Sequence, residues 1–465
     1  MENKTQRKPS MWKFIVFSLV GAFLFLAPIP DGEGAFNIPL GIIINWLNGV
    51  FRGISFGEYA PDTTAGTWDF RYMLALVAIT ASFLLSLVAY LFKPKFIMDN
   101  PKVKEVFYSS PIYFISKAVA VAVIWMLFLN VGPAVVISNW TGDVMIGLVA
   151  GLMTIFLVLG PAIPFLTDFG LMEFIGVLIR KVVRALFTLP GRASIDLMAS
   201  WFGSSAAGVI ITRDQHAQGF YTGREAAVVA VNFALVSVPF SFVIADLVGV
   251  EQHFWAFYGI IALTCVILAI VMPRIWPLRN LKDEYLPSVG KQIEEEAPAN
   301  ISTGAYALQL ASERAGKTTA QDVVKTGLNS YLNIFMDLIP IILAWGTIAI
   351  VLVEATPIFD WISLPMAHYL NLLGVADAFA VAPATLVGFV DMYIPGLLVG
   401  DAPAATRFII GALSIVQIIY LAETGALIIK SKIPLGIGKL FIIFMMRTII
   451  AIPILVLLTN LFFRY

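Results

Sequence analysis

The chain has 465 residues, of which 59% are hydrophobic and 13% charged, and its basic and acidic residues balance at a formal net charge of zero. Soluble domains carry roughly 25% charge, so this composition excludes a soluble surface of this size. The basic residues are scattered at the ends of apolar segments, which excludes nucleic-acid binding. The lone cysteine, Cys265, excludes a disulfide framework or a thiolate metal cluster within the chain.

The apolar stretches run for roughly 18 to 25 residues, the length a helix needs to cross a hydrocarbon core of ~30 Å. The short-period alternation of a membrane β-barrel is absent, and helices satisfy their own backbone inside lipid. The expected fold is an all-α polytopic membrane protein with the lipid bilayer as solvent. About eleven transmembrane helices are expected, with two re-entrant or interrupted segments arranged in two pseudo-repeats.

At the N-terminus, Lys4, Arg7, Lys8 and Lys13 face a single acid, Glu2, and precede the apolar run 14–29. That run ends in Pro-Ile-Pro-Asp-Gly without a small-x-small cleavage pattern. It therefore reads as a retained first helix with a cytoplasmic N-terminus, in a bacterial inner membrane, rather than a cleaved signal peptide. The connector 31–71 holds five acids and two arginines, as an extracytoplasmic loop should, and its 38–51 stretch is short enough to lie along the interface or re-enter. Spans follow at Phe70–Phe92, 112–129 and 144–160, where Gly147 and Gly151 would let a neighbouring helix approach closely.

Residues 171–189 are apolar but interrupted by Arg180, Lys181 and Arg184. Each would cost roughly 2.5 to 3.5 kcal/mol at a bilayer centre, so this segment reads as re-entrant or interfacial. Helices at 195–212, 226–250 and 253–276 come next. A polar, charge-rich connector at 278–324 then reads as a peripheral linker between two membrane halves. The second half offers 327–354, a short Pro-containing 358–373, then 376–399, 406–421 and Ile437–Phe463. The domain reading is scaffold helices at 1–142, a first membrane half at 143–276, the connector at 277–325 and a second half at 326–465. The halves repeat one order, with 171–189 matching 358–373, 195–212 matching 376–399 and 226–250 matching 406–421. Paired interrupted segments of this kind point to a transporter's binding site.

Within 195–212, Asp196, Ser200 and Ser204 recur every fourth residue on one face, and Gly203, Ser204 and Ser205 together weaken a helix. An unwound turn there would offer backbone groups and hydroxyls to a solute. Small residues also serve helix packing, and Ser200 and Ser204 can bond back to their own carbonyls. In the matching helix stand Thr385, Gly388, Asp391, Tyr393 and Pro395, and the proline predicts a break near Asp391. An intramembrane carboxylate can bind a cation, hold a proton or pair with an amine, which makes Asp391 the foremost candidate. Gln417, Glu423 and Thr424, with Asn232, Ser237 and Ser241 in the first half, are second-tier lining candidates. Asp337, beside Pro340, is expected to neutralise an arginine of another segment. His216, His253 and His368 stand apart at segment edges, so no metal site is expected.

The stretches Ser200-Trp-Phe-Gly-Ser-Ser-Ala-Ala-Gly-Val-Ile-Ile-Thr-Arg213 and Gln218-Gly-Phe-Tyr-Thr-Gly-Arg224-Glu225-Ala, with Leu421-Ala-Glu-Thr-Gly425 and 382–401, resemble the YjiH-like membrane proteins. Those proteins carry the nucleoside-recognition Gate domain and are distantly similar to concentrative nucleoside transporters. The resemblance spans nearly the whole chain and implies paired re-entrant segments in a transporter-like core. The Gly-Gln-Thr-Glu and Asn-Glu-Phe stretches associated with nucleoside and cation binding are not present, so it implies transport of a small polar metabolite, with a nucleoside-like solute the less favoured option.

The sequence thus reads as a secondary transporter of a small polar metabolite, without a cofactor beyond H⁺ or Na⁺ as coupling ion, since no nucleotide-binding motif is present. A non-transporting membrane scaffold or assembly factor of the same fold is the alternative. An intramembrane enzyme is disfavoured, because neither facing Gly-x-Gly-Asp segments nor a His-Glu-x-x-His pattern occurs. The partners that fit are the bilayer, the solute and a second copy of the chain.

Overall fold

The computed structural model describes residues 8–30, 36–58, 67–108, 111–203, 205–287, 290, 301–431 and 433–463. The protein is an all-α multi-pass membrane protein, and among the described residues six helices are long and apolar enough to cross a bilayer. The helices Phe70–Phe92 and Ile437–Phe463 have the ends read from the sequence. The count of eleven is not upheld, because it took as single spans several segments that fold as hairpins or broken helices. The chain divides into two compact units, one of residues 39–162 and 324–364 and one of residues 1–38, 163–323 and 365–465.

In the smaller unit, Asp69 caps the helix Phe70–Phe92 by accepting from the backbone N–H groups of Arg71 and Tyr72. The Arg71 guanidinium folds back onto the same carboxylate at 2.5 Å, so the pair can be buried together. Lys117, 1% exposed in the helix Pro111–Leu129, lies 3.1 Å from Asp337 and donates to the Val106 carbonyl at 2.6 Å. An arginine was expected beside Asp337, and the described partner is Lys117. Asp337 sits in a π-helical turn, Ile334–Leu338, next to Pro340, whose missing N–H would leave the Met336 carbonyl without its helical donor. The Ser82 hydroxyl supplies that donor. Among the described residues, no neighbouring side chain or other element lies within 4 Å of a Cβ built on Gly147 or Gly151, so none of them makes the close approach expected there. It is made at Gly160, where a Cβ would fall 2.5 Å from the Tyr331 ring.

In the larger unit, Met11–Leu26, Leu171–Phe187 and Thr303–Lys317 pack together. Ala307, Ala311 and Ala315 are fully buried there, so the polar connector contains a docked helix. Leu171–Phe187 is continuous and amphipathic, with Lys181 and Arg184 exposed, and Ile358–Leu372 is also unbroken. Neither is interrupted, and the amphipathic Leu171–Phe187 keeps the interfacial one of its two expected placements open.

The segments that follow them are the interrupted ones, and each reverses direction. Ala193–Met198 passes through a π-helical turn, Ala199–Gly203, and the chain doubles back as Ser205–Ala217. The two arms lie so close that a Cβ on Gly208 would sit 1.8 Å from the Ser200 hydroxyl. Ala378–Val387 likewise turns at residues 388–393 and packs against Ile394–Leu397. Both interruptions expected from small and helix-weakening residues are present, the first as a π-turn and a reversal, the second as an open turn.

The segments after the hairpins are broken helices rather than spans. Gly223–Asn232 stops, and Val238–Leu247 starts with Pro239 in its first turn. That ring would clash with the carbonyl four residues earlier, at Leu235, if the helix continued. Ala404–Val416 stops, and a π-turn, Leu421–Gly425, and the short helix Ala426–Lys430 follow. Ile418 between them has φ +63°, a left-handed conformation that a β-branched residue adopts only when its surroundings impose it. Phe254–Val271 and Ile437–Phe463 complete the two sets. Hairpin, broken helix and long helix therefore occur in that order in each half of the sequence, and both sets lie in this one unit.

Candidate functional site

A helix end leaves backbone carbonyls without intrahelical donors, and at the second break side chains supply donors to three of them, after the Gln417 N–H closes the last helical bond. The Gln417 N–H donates to Leu413, the Tyr420 hydroxyl to Ser414 at 2.8 Å and Ile415 at 2.9 Å, and the Arg447 guanidinium to Val416 at 2.5 Å. Thr424 holds the strained Ile418 by donating to its carbonyl at 2.8 Å while accepting from the Tyr420 N–H. Thr424, read as a lining residue, is thus fully engaged with backbone.

Gln417 ties this break to the second hairpin. Its amide donates to the Thr385 carbonyl at 2.8 Å and the Thr448 hydroxyl at 2.9 Å. Its carbonyl oxygen is buried without a partner and points at Gly388, where a Cβ would fall 2.0 Å from it. The Thr385 hydroxyl bonds back to Ala382. The Leu421 N–H donates to Phe389 at 2.7 Å, joining the hairpin tip to the break. At that tip Asp391, 4% exposed, accepts from the Tyr393 N–H at 2.8 Å.

Glu423 joins the two halves. Its carboxylate accepts from the Ser205 hydroxyl and the Ala206 N–H, each at 3.3 Å, at the first turn of Ser205–Ala217. An anion belongs there, because the first amides of a helix have no internal acceptors and its dipole is positive at that end. Asp391 stands two residues beyond Phe389 and Glu423 two beyond Leu421, the pair whose backbone bond joins the hairpin tip to the break. Neither carboxylate forms an ion pair among the described residues. A carboxylate without an ion-pair partner in an apolar setting can hold a proton or a cation.

Asp196 belongs to a different cluster. It is 1% exposed, accepts from the Thr212 hydroxyl at 2.7 Å, and neighbours Tyr221 and Arg192. The Arg192 guanidinium stacks on the Phe220 ring. No charge interaction links Asp196 to Asp391 or Glu423 among the described residues. Ser200 bonds back to the Asp196 carbonyl at 3.1 Å, and Ser204 lies outside the described residues. The structure therefore brings together Ser205, Thr385, Asp391, Gln417, Glu423 and Thr424, and keeps Asp196 and Ser200 within the first hairpin.

Asn232 stands at the first break, donating to Val228 at 2.9 Å and accepting from Arg447 at 2.8 Å. Ser237 and Ser241 beyond it keep buried hydroxyls without partners among the described residues. Arg447 is the functional candidate that the sequence reading passed over. The signal was legible, since a single arginine inside an otherwise apolar span is costly unless it is used.

A protein of Alkalihalophilus pseudofirmus, described as uncharacterized protein BpOF4_10220, is 40% identical over 463 residues, covering 99% of this chain and 96% of its own length. The chain belongs to that protein's family. Residues 149–251, which contain the first hairpin and first broken helix, match the Gate family, described as nucleoside recognition. The resemblance to Gate-domain membrane proteins read from residues 200–226 is therefore shown. Among solved structures, a variant of CNTnw in an outward-facing state is 14% identical, covering 84% of this chain and 98% of that chain with a TM-score of 0.38. The YdaH transporter of Alcanivorax borkumensis is 13% identical over 98% of both chains with a TM-score of 0.25.

Proposed function

We propose that this protein is a secondary transporter for a small polar metabolite, driven by an H⁺ or Na⁺ gradient across the bacterial inner membrane, with its N-terminus in the cytoplasm. One observation carries the reading. Asp391 and Glu423, which form no ion pair among the described residues, lie on the second hairpin and the second broken helix, two segments joined by the Leu421 N–H to Phe389 bond, and Glu423 reaches the first turn of Ser205–Ala217. Non-helical backbone at membrane depth is tolerated where it is buried in protein or lines a water-filled cavity. Here both halves of the chain place such backbone in one unit, next to acidic groups able to hold a cation. The nucleoside-recognition description of the Gate match makes nucleosides one class of solute to test among others.

The scaffold reading has support of its own, because Ser200, Thr385 and Thr424 use their hydroxyls on nearby backbone. Uptake separates the two. Proteoliposomes loaded to give an inward H⁺ or Na⁺ gradient and offered a mixed pool of polar metabolites should accumulate at least one solute, and collapse of the gradient should abolish the accumulation. Correctly folded protein that moves no solute under either gradient would favour the scaffold.

A further inference from the structure

Arg447 is 0% exposed, yet among the described residues it has no acidic partner. Its guanidinium stays protonated in proteins, so the charge must be offset by something else. The offset comes from oxygens of two helices that both end beside it. Nε donates to the Val416 carbonyl at 2.5 Å, where Ala404–Val416 stops. Nη1 donates to the Val231 carbonyl at 3.3 Å and the Asn232 amide oxygen at 2.8 Å, where Gly223–Asn232 stops. Nη2 lies 3.9 Å from the sulfur of Cys265. Each helix C-terminus carries roughly half a negative charge on its open carbonyls, so two such ends and an amide oxygen make a cation-attracting cluster.

We infer that Arg447 is a tethered resident cation, filling the oxygen cluster created by the two helix breaks and holding those breaks in register. This assignment does not depend on the transport reading. A lysine could keep the charge but reach fewer of the acceptors, because the guanidinium's planar fork addresses both helices at once. An apolar side chain would leave three oxygens without a donor, and buried carbonyls are costly when unsatisfied. If Arg447 were instead an ordinary buried ion, an apolar replacement of similar volume would be neutral or stabilising.

The test uses the full-length protein in detergent and follows thermal unfolding of Arg447→Lys, Arg447→Met and Arg447→Gly. Arg447→Lys should melt above Arg447→Met. Arg447→Gly, which opens space where the side chain was, should gain melting temperature saturably from millimolar methylguanidinium, while wild type and Arg447→Met do not respond. Arg447→Met melting as high as wild type, or above Arg447→Lys, would overturn the assignment. So would a folded Arg447→Gly that methylguanidinium leaves unchanged. Should Arg447→Gly fail to fold, the order of Arg447→Lys and Arg447→Met decides alone.

Discussion

The two helix breaks occupy equivalent places in the two halves but are stabilised differently. At residues 417–420 the chain turns on its own side chains. Tyr420, Thr424 and Arg447 supply donors to the carbonyls that the break exposes, and Gln417 ties the break to the hairpin through the Thr385 carbonyl. At residues 233–237 the helix end is met only from one side, by Asn232 and Arg447. Residues 234–236 form no backbone hydrogen bonds with the described residues, and the hydroxyls of Ser237 and Ser241 are unpartnered among them. Buried polar groups are ordinarily satisfied, so the contrast separates a break built as a frame from one that keeps hydrogen-bonding capacity unspent. In the proposed transporter, the second break fixes the acidic groups and the first offers contacts to the solute.

The largest expected effect tests the acidic side of that division. Asp391→Asn keeps the acceptor used by the Tyr393 N–H and removes only charge. It should reach the membrane at normal abundance, stay folded, and lose gradient-driven accumulation in proteoliposomes. Undiminished accumulation would move the coupling role to Glu423, and a misfolded variant would make Asp391 structural.

Next in size is the frame itself. Tyr420→Phe strips the donor from the Ser414 and Ile415 carbonyls, which should cost about 1–3 kcal/mol, seen as a lower unfolding midpoint in detergent. Thr424→Val should lower the midpoint by a smaller step, of the order of 1 kcal/mol, as it frees the strained Ile418. Midpoints unchanged in both would break the comparison, because the second break would then not rest on these bonds.

The smallest effect on stability, and the sharpest contrast, belongs to the first break. Ser237→Ala removes a hydroxyl that bonds to nothing among the described residues, so stability should stay within about 0.5 kcal/mol of wild type. Solute uptake should nevertheless weaken through a raised KM. A destabilised Ser237→Ala with normal uptake would mean that the two breaks share one structural task.

Several features were legible in residue order alone, because each depends on local chemistry. Low charge and long apolar runs required an all-α membrane protein, and the ends of Phe70–Phe92 and Ile437–Phe463 follow from apolar length. Gly203 and Ser205 in one half and Gly388, Pro395 and Gly396 in the other marked the interruptions, because they weaken or forbid helical bonding. Pro239 was a signal for the first break that the sequence reading passed over when it took the apolar run 226–250 as one span. Tertiary structure decided the rest. Hydropathy sums the transfer cost of a segment and is blind to reversal of direction, so a hairpin buried in protein looks like a span buried in lipid. The partners that define the site are remote in sequence: Glu423 meets Ser205, Gln417 meets Thr448, and Arg447 reaches both Asn232 and Val416. Which carboxylate lies beside which helix end is set by packing of the two repeats against each other, and no local pattern encodes that choice.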